Sequence, residues 1–201
     1  MSLPHAIIIA GGRGERLGGV RKADLRFGGK RLIDRVGDSL GPIAGPLLIS
    51  VGPRDDGRGT RADSMRVTDL SESHEGPLAG LAAGVFALQN HGISEGLLVS
   101  VAVDTPFLPA DFISRLQNGL GQAPAAFATW GDGFYPPNAI WRIEALADLP
   151  NQIRRGTAAK SLKALQQGLG ARAVGWDGPA NPFSNINTLA DIVQLGARAR
   201  D

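Results

Sequence analysis

Residues 10–22 read AGGRGERLGGVRK, a glycine-rich run carrying Arg13, Arg16, Arg21 and Lys22. Glycine reaches positive φ at little cost and lets backbone N–H groups approach an anion closely. Interleaved cations then match several phosphates at once. Two familiar phosphate loops are not what this is. A Walker A loop needs Gly-Lys-Ser/Thr, whereas Lys22 stands between Arg21 and Ala23. The dinucleotide pattern G-x-G-x-x-G fails because Leu17 takes the place of the third glycine. A second candidate is Asp104, which ends the apolar run GLLVSVAV at residues 96–103. A carboxylate there is costly unless it is paired or binds metal. A hard oxygen facing a triphosphate suits Mg²⁺, with phosphate oxygens and water completing the octahedron. The competing role is a helix N-cap, which Asp also favours.

The elements that must hold these residues follow from hydrophobic patterning. Apolar runs at residues 5–10, 46–51, 96–103 and 123–130 read as buried strands, with 138–143 and 171–176 as further candidates. Between them KRLIDRVGDSLG, PLAGLAAGVFALQN, PADFISRLQNGLG, TAAKSLKALQQGLG and TLADIVQLGARAR carry helical spacing, several closing on Gly or Asn. Residues 52–64 read as a polar surface loop. Continuous apolar strands separated by helices predict a three-layer α/β/α sandwich with a mostly parallel central sheet, in one domain spanning 1–201. Ligands in such folds lie beyond the carboxyl ends of the strands. Both the glycine-rich run and Asp104 fall there.

Composition narrows the function classes. The chain has no cysteine, which excludes disulfides and thiolate metal sites. Residues 11–35 hold eight Lys/Arg against three acids in a chain of net charge +2, so the basic charge is local. With aromatics at 5%, the pattern fits a small-anion site better than a nucleic-acid track. No apolar run approaches the ~20 residues of a membrane span, and the cytoplasm is the expected compartment.

The segment IIIAGGRGERLGGVRKADLRFGGKRLID resembles the signature of nucleotidyltransferases, and most closely that of the molybdenum cofactor guanylyltransferases of the MobA type. VTDLSESHEGPLAGL (67–81), VDTPFLP (103–109) and FSNINTLADI (183–192) extend the resemblance in the family's order over almost the whole chain. The resemblance implies a Rossmann-like nucleotidyltransferase fold and transfer of GMP from GTP to molybdopterin, with release of pyrophosphate. It implies that Lys22 holds α-phosphate charge, that Arg16 and Arg13 steady the leaving phosphates, and that Asp104 anchors Mg²⁺. The implied GTP-binding set is Ile9, Ala10, Gly11, Gly12, Arg13, Lys22, Ser50, Asp69, Gly76, Pro77, Leu78, Gly80 and Asp104. Asn185 and Asn187 fall on the acceptor side, near the metal. Gly11 is expected to leave room for a purine, and residues 1–110 and 111–201 to serve nucleotide and acceptor respectively. Cofactor-insertion proteins or molybdoenzyme chaperones are the implied transient partners.

Alternatives stand beside this reading. Gly76 and Gly80 would equally serve close helix–sheet packing. Asn185 and Asn187 would equally serve a turn and a cap. His74, between Glu72 and Glu75, reads as solvated rather than as a metal ligand. The acceptor end departs from the resemblance: Tyr135, Pro136, Pro137 and Asn138 replace His-Pro or Gln-Pro and an apolar residue. Arg154 and Arg155 match an arginine-bearing helix only loosely. A cytidylyltransferase, a sugar-phosphate nucleotidyltransferase and a non-catalytic nucleotide or cofactor carrier remain open at this level.

Overall fold

β1 (His5–Ile9) shows how the sequence dictates the layers. Ala6 and Ile8 point to one face of the sheet and Ile7 and Ile9 to the other, and all four are buried. A strand that is apolar at every position needs cover on both sides, and helices supply it. The computed structural model describes residues 2–11, 21–52, 57, 60–71 and 76–195. One face is covered by α1 (Leu32–Ser39) and α3 (Phe112–Leu120). The other is covered by α2 (Pro77–Asn90), α4 (Leu149–Arg155) and α5 (Leu162–Leu169).

The sheet has seven strands in the order β5-β4-β1-β6-β8-β7-β9. The remaining strands are β4 (Leu47–Ser50), β5 (Ser64–Val67), β6 (Leu97–Ala102), β7 (Ala125–Trp130), β8 (Gly133–Arg142) and β9 (Arg172–Trp176). Only β8 runs against the rest. The expected sandwich and mostly parallel sheet are both present, and each expected helical segment contains a helix, while α4 lies outside the segments with expected helical spacing. Three further details differ from the sequence reading. The strand expected at 138–143 begins at Gly133, because the two-residue turn Gly131-Asp132 closes a β7–β8 hairpin in which Trp130 pairs with Gly133. The loop expected through 64 ends where β5 starts. Residues 26–31 form a small hairpin of β2 (Arg26–Phe27) and β3 (Lys30–Arg31), turned by Gly28 and Gly29 at φ 55° and 83°. Two successive positive φ angles are what a tight hairpin turn demands, and glycine meets that demand.

α2 sits unusually close to the sheet. A Cβ on Gly80 would stand 2.5 Å from Ser50 Oγ and 3.0 Å from Ser50 Cβ. On Gly84, one turn later, it would stand 2.5 Å from Ile7 Cδ1. These glycines share one helix face, so together they set the helix–sheet spacing. The outer side of α2 is covered by α4, whose Arg154 lies 4.3 Å from the Phe86 ring centre. Among the described residues no helix is long and apolar enough to cross a membrane.

This packing makes a stability prediction. Gly80→Val overfills a contact whose partner is backbone-proximal, and should cost about 1–3 kcal/mol. Urea unfolding followed by circular dichroism measures it; an unchanged midpoint would remove Gly80 from the packing role.

Candidate active site

The carboxyl ends of three neighbouring strands converge, and the ladders continue past them. Ala10 N donates to Ser50 O at 3.1 Å, and Val103 N to Ile9 O at 3.2 Å. Gly11 then crosses the end of β4 so closely that a Cβ on it would stand 3.0 Å from both the Cα and N of Gly52. Gly52 itself has φ 84°, and its carbonyl accepts from Asp69 N at 3.1 Å. The expected reason for Gly11 was room for a base; the nearer reason is this backbone crossing. Gly11→Ala therefore strains the scaffold before it touches any ligand.

A cleft of about 310 Å³ opens at these strand ends. Ile9, Ala10, Gly11 and Pro77 border it on the β1 side, and Lys22 and Asp104 line it as well. Phe134, Tyr135, Pro136, Pro137 and Asn138 of β8 form the opposite wall, joined by Asn185.

At the centre, Lys22 Nζ donates to Asp104 Oδ2 at 2.7 Å and to Asn187 Oδ1 at 2.5 Å. The Lys22 and Asp104 side chains are only 24% and 14% exposed, so the pair is partly shielded from water. Lys22 begins a single 3₁₀ turn, Lys22–Asp24, anchored by buried Ala23. Asp104 lies in the turn after β6. Its carbonyl accepts from Ile186 N at 2.9 Å, and Thr105 Oγ1 donates to Ala102 O at 2.8 Å. The residue preceding α3 is Asp111, so Asp104 does not cap that helix.

The segment at 183–188 is held by two side chains three residues apart. Phe183 and Ile186 are fully buried, Phe183 packing against Tyr135 and Trp176 with ring centres 5.1 Å apart in each case. Asn185 and Asn187, between and after these plugs, are left on the cleft side. Asp191, in the first turn of α6 (Leu189–Leu195), accepts from Asn187 N and Thr188 N, each at 2.8 Å. Thr188 Oγ1 accepts from Asp191 N at 3.2 Å, which completes a reciprocal helix-start motif. The backbone N–H of Asn187, then that of Thr188, holds the Asp191 carboxyl below its ordinary 3.8, with help from the Thr188 hydroxyl and the Lys22 charge. This contribution to docking α6 is present above the ordinary carboxylate range and is lost as pH falls through the lowered value.

The structure thus brings Ile9, Ala10, Gly11, Lys22, Pro77, Asp104 and Asn185 to one cleft, with Asn187 reaching it through Lys22. Gly76, at φ 102°, starts α2 beside Pro77. Ser50, Leu78 and Gly80 do not line the cleft: Ser50 lies 1% exposed beneath Gly80, and Leu78 is core. Arg154 and Arg155 sit on α4, engaged with Phe86 and with Asp148 at 3.0 Å, and are not part of the cleft wall. Gly12, Arg13, Arg16, Glu72, His74 and Glu75 lie outside the described residues. Sequence reasoning passed over Thr105 and Phe134 as wall residues. A buried Asn inside the apolar run NAIWRI was the signal for Asn138.

Among the described residues, no three His, Cys, Asp or Glu side chains cluster as a metal cage. Asp104 Oδ2 and Asn187 Oδ1 nevertheless converge on one cationic nitrogen. Two hard oxygens around a positive charge suit a Mg²⁺ that takes its other ligands from phosphate and water.

The family description "MobA-like NTP transferase domain" matches residues 6–172. The molybdenum cofactor guanylyltransferase of Acidiphilium cryptum (strain JF-5) is 35% identical over 189 residues, covering 94% of this chain and 91% of that protein. Its namesake in Yersinia pseudotuberculosis serotype O:1b is 32% identical over 185 residues, covering 92% and 91%. Among solved structures, molybdopterin-guanine dinucleotide biosynthesis protein A of Archaeoglobus fulgidus superposes with a TM-score of 0.70 at 22% identity, over 96% of this chain and 97% of that one. A 2-C-methyl-D-erythritol 4-phosphate cytidylyltransferase of Thermus thermophilus shares the fold at TM-score 0.69 and 20% identity, over the whole of both chains. With its glycine-rich run and its Lys22–Asp104 centre at the strand ends, this chain belongs to the MobA-like nucleotidyltransferase family.

Proposed function

We propose that this protein transfers GMP from GTP to the terminal phosphate of molybdopterin, forming the guanine dinucleotide cofactor and pyrophosphate. The observation that carries the reading is the Lys22–Asp104–Asn187 centre on the cleft, in a chain whose curated relatives are named for that reaction. A phosphate oxygen of the acceptor supplies the electron pair that forms the new O–Pα bond. The Pα–O bond to the β-phosphate breaks, and its pair leaves with pyrophosphate. A phosphate monoester is largely dianionic at neutral pH, so this chain needs no general base for the attack. Its task is to position the reactants and neutralise charge.

Asp104, with Asn187 beside it, would hold Mg²⁺. Bound there, the ion would neutralise phosphate charge as the displacement proceeds. Lys22, displaced from Asp104, has its ammonium free for an α-phosphate oxygen on which charge develops. Arg13 and Arg16 are assigned to the leaving phosphates on their sequence positions. The nucleotide lies on the β1 side, with Gly11, Gly76, Pro77 and Asp69 at or near its pocket, and the acceptor lies toward β8. GTP as donor puts the reaction in the cytoplasm, and transient contact with cofactor-insertion proteins or molybdoenzyme chaperones would take the product onward.

Asp104→Asn should keep the circular dichroism spectrum and lower turnover at saturating GTP and Mg²⁺ by about 10²-fold or more, because a neutral amide replaces an anionic ligand. Near-normal turnover would take Asp104 out of the metal site. Lys22→Ala should lower kcat by about 10²–10³-fold while changing GTP affinity much less. A loss confined to KM would make Lys22 a uniform binder of triphosphate. Pyrophosphate release with purified molybdopterin should be fast with GTP and slow with CTP, and equal use of CTP would overturn the guanylyl assignment.

A further inference from the structure

Five polar side chains are buried among the described residues, and four of them, Ser100, Thr105, Asn138 and Gln166, converge on one place. That place is the stretch 136–138 of β8, where two prolines lack N–H donors. Phe127 of β7 pairs with Ala139 and the next residue, Ala128, pairs with Tyr135, so residues 136–138 bulge out of the ladder. On the other edge, pairing with β6 stops at Ser100 and Ala139. Side chains replace the missing ladder. Gln166 Nε2 donates to Pro136 O at 2.9 Å, and Ser100 Oγ donates to Pro137 O at 2.7 Å while accepting from Trp141 Nε1 at 2.9 Å. Thr105 Oγ1 donates to Ala102 O at 2.8 Å, and Asn138 Oδ1 accepts from Ala102 N at 3.0 Å.

The last of these fixes the amide's orientation. A backbone N–H can only donate, so the atom facing Ala102 N must be the oxygen. Asn138 Nδ2, with two N–H donors, then makes no hydrogen bond to the described residues, although Asn138 is 1% exposed and borders the cleft. The nitrogen is not sealed from solvent, so the partner its donors lack would come from the cleft that Asn138 borders. The strand order β1-β6-β8 sets Asn138 beside Asp104, on the side away from β1. In-line displacement requires the attacking oxygen to enter opposite the leaving pyrophosphate. With the leaving phosphates on the β1 side, as the proposed function has them, the β8 side is the attacking side.

We propose that Asn138 binds the acceptor: its Nδ2 donates to an oxygen of the attacking phosphate, while its Oδ1 secures the turn that carries Asp104. A neutral amide orients that oxygen without the charge neutralisation a lysine or arginine would impose, which would blunt its nucleophilicity. The proposal rests on the acceptor reading of the preceding subsection.

Equilibrium binding of molybdopterin, followed by its pterin fluorescence, tests the inference independently of turnover. GTP binding in the presence of Mg²⁺ is measured alongside, for wild type, Asn138→Ala and Asn138→Asp. Asn138→Asp keeps an oxygen for Ala102 N and removes the donors, and it decides the matter should Asn138→Ala fail to fold. The expected result is molybdopterin affinity lowered at least tenfold in both variants, GTP affinity within twofold of wild type, and a thermal midpoint better preserved in Asn138→Asp. Molybdopterin affinity within twofold of wild type in Asn138→Asp, or GTP affinity falling as far as molybdopterin affinity, overturns the proposal. Wild type that binds molybdopterin but does not guanylylate it would defeat the assigned reaction and leave the Asn138 test intact.

Discussion

The contact between Lys22 and Asp104 organises the whole site. One partner comes from the turn after the glycine-rich segment and the other from the end of β6, 82 residues later. A partly buried carboxylate without a cation would be costly, and so would a partly buried ammonium without an anion. Each therefore holds the other over the cleft, and Asn187 closes the group from a third part of the chain. The arrangement also prepares for chemistry. On the proposed function, a divalent ion and a phosphate oxygen would satisfy the carboxylate and the ammonium separately, so substrate binding would exchange one pairing for two.

The scaffold is built to keep these partners in register. The ladders of β1 with β4 and β6 continue beyond the strands to Ala10 and Val103, which delivers both turns to the same depth. Gly11 and Gly52 permit the backbone crossing there, and Gly80 and Gly84 bring α2 down onto the sheet beneath it. On the far side the reversed strand β8 abandons its pairing at two prolines, and buried side chains take over the hydrogen bonds. Polar burial is thus concentrated beside Asp104, where the position of a single turn matters most. Phe183 and Ile186 anchor the segment that carries Asn185 and Asn187 against the aromatic core.

Much of this was legible in the sequence because periodicity and end signals agreed. PLAGLAAGVFALQN is α2 from its first residue to its last, and the apolar run ending at Asp104 is β6 and its turn. The Lys22 and Asp104 positions were legible as chemistry from charge placed at strand ends. Their mutual contact was not, since it depends on how the chain folds back. The partition of glycines was legible in part: packing against the sheet was an open reading for Gly80, which meets Ser50, whereas nothing in the sequence set Gly11 against Gly52. Ser50 and Leu78 fell in the core for a similar reason, because a motif marks a stretch and not which side of it faces the cleft. The β8 bulge was hidden because its register depends on two neighbouring strands.

The central claim is that the Lys22–Asp104 pair is the resting form of a centre that opens around metal and triphosphate. A crystal structure with Mg²⁺ and a non-hydrolysable GTP analogue tests it most directly. The account predicts metal bound to an Asp104 carboxylate oxygen and Lys22 Nζ moved onto an α-phosphate oxygen. A complex in which Lys22 still bonds Asp104, with metal and phosphates held elsewhere, would contradict it.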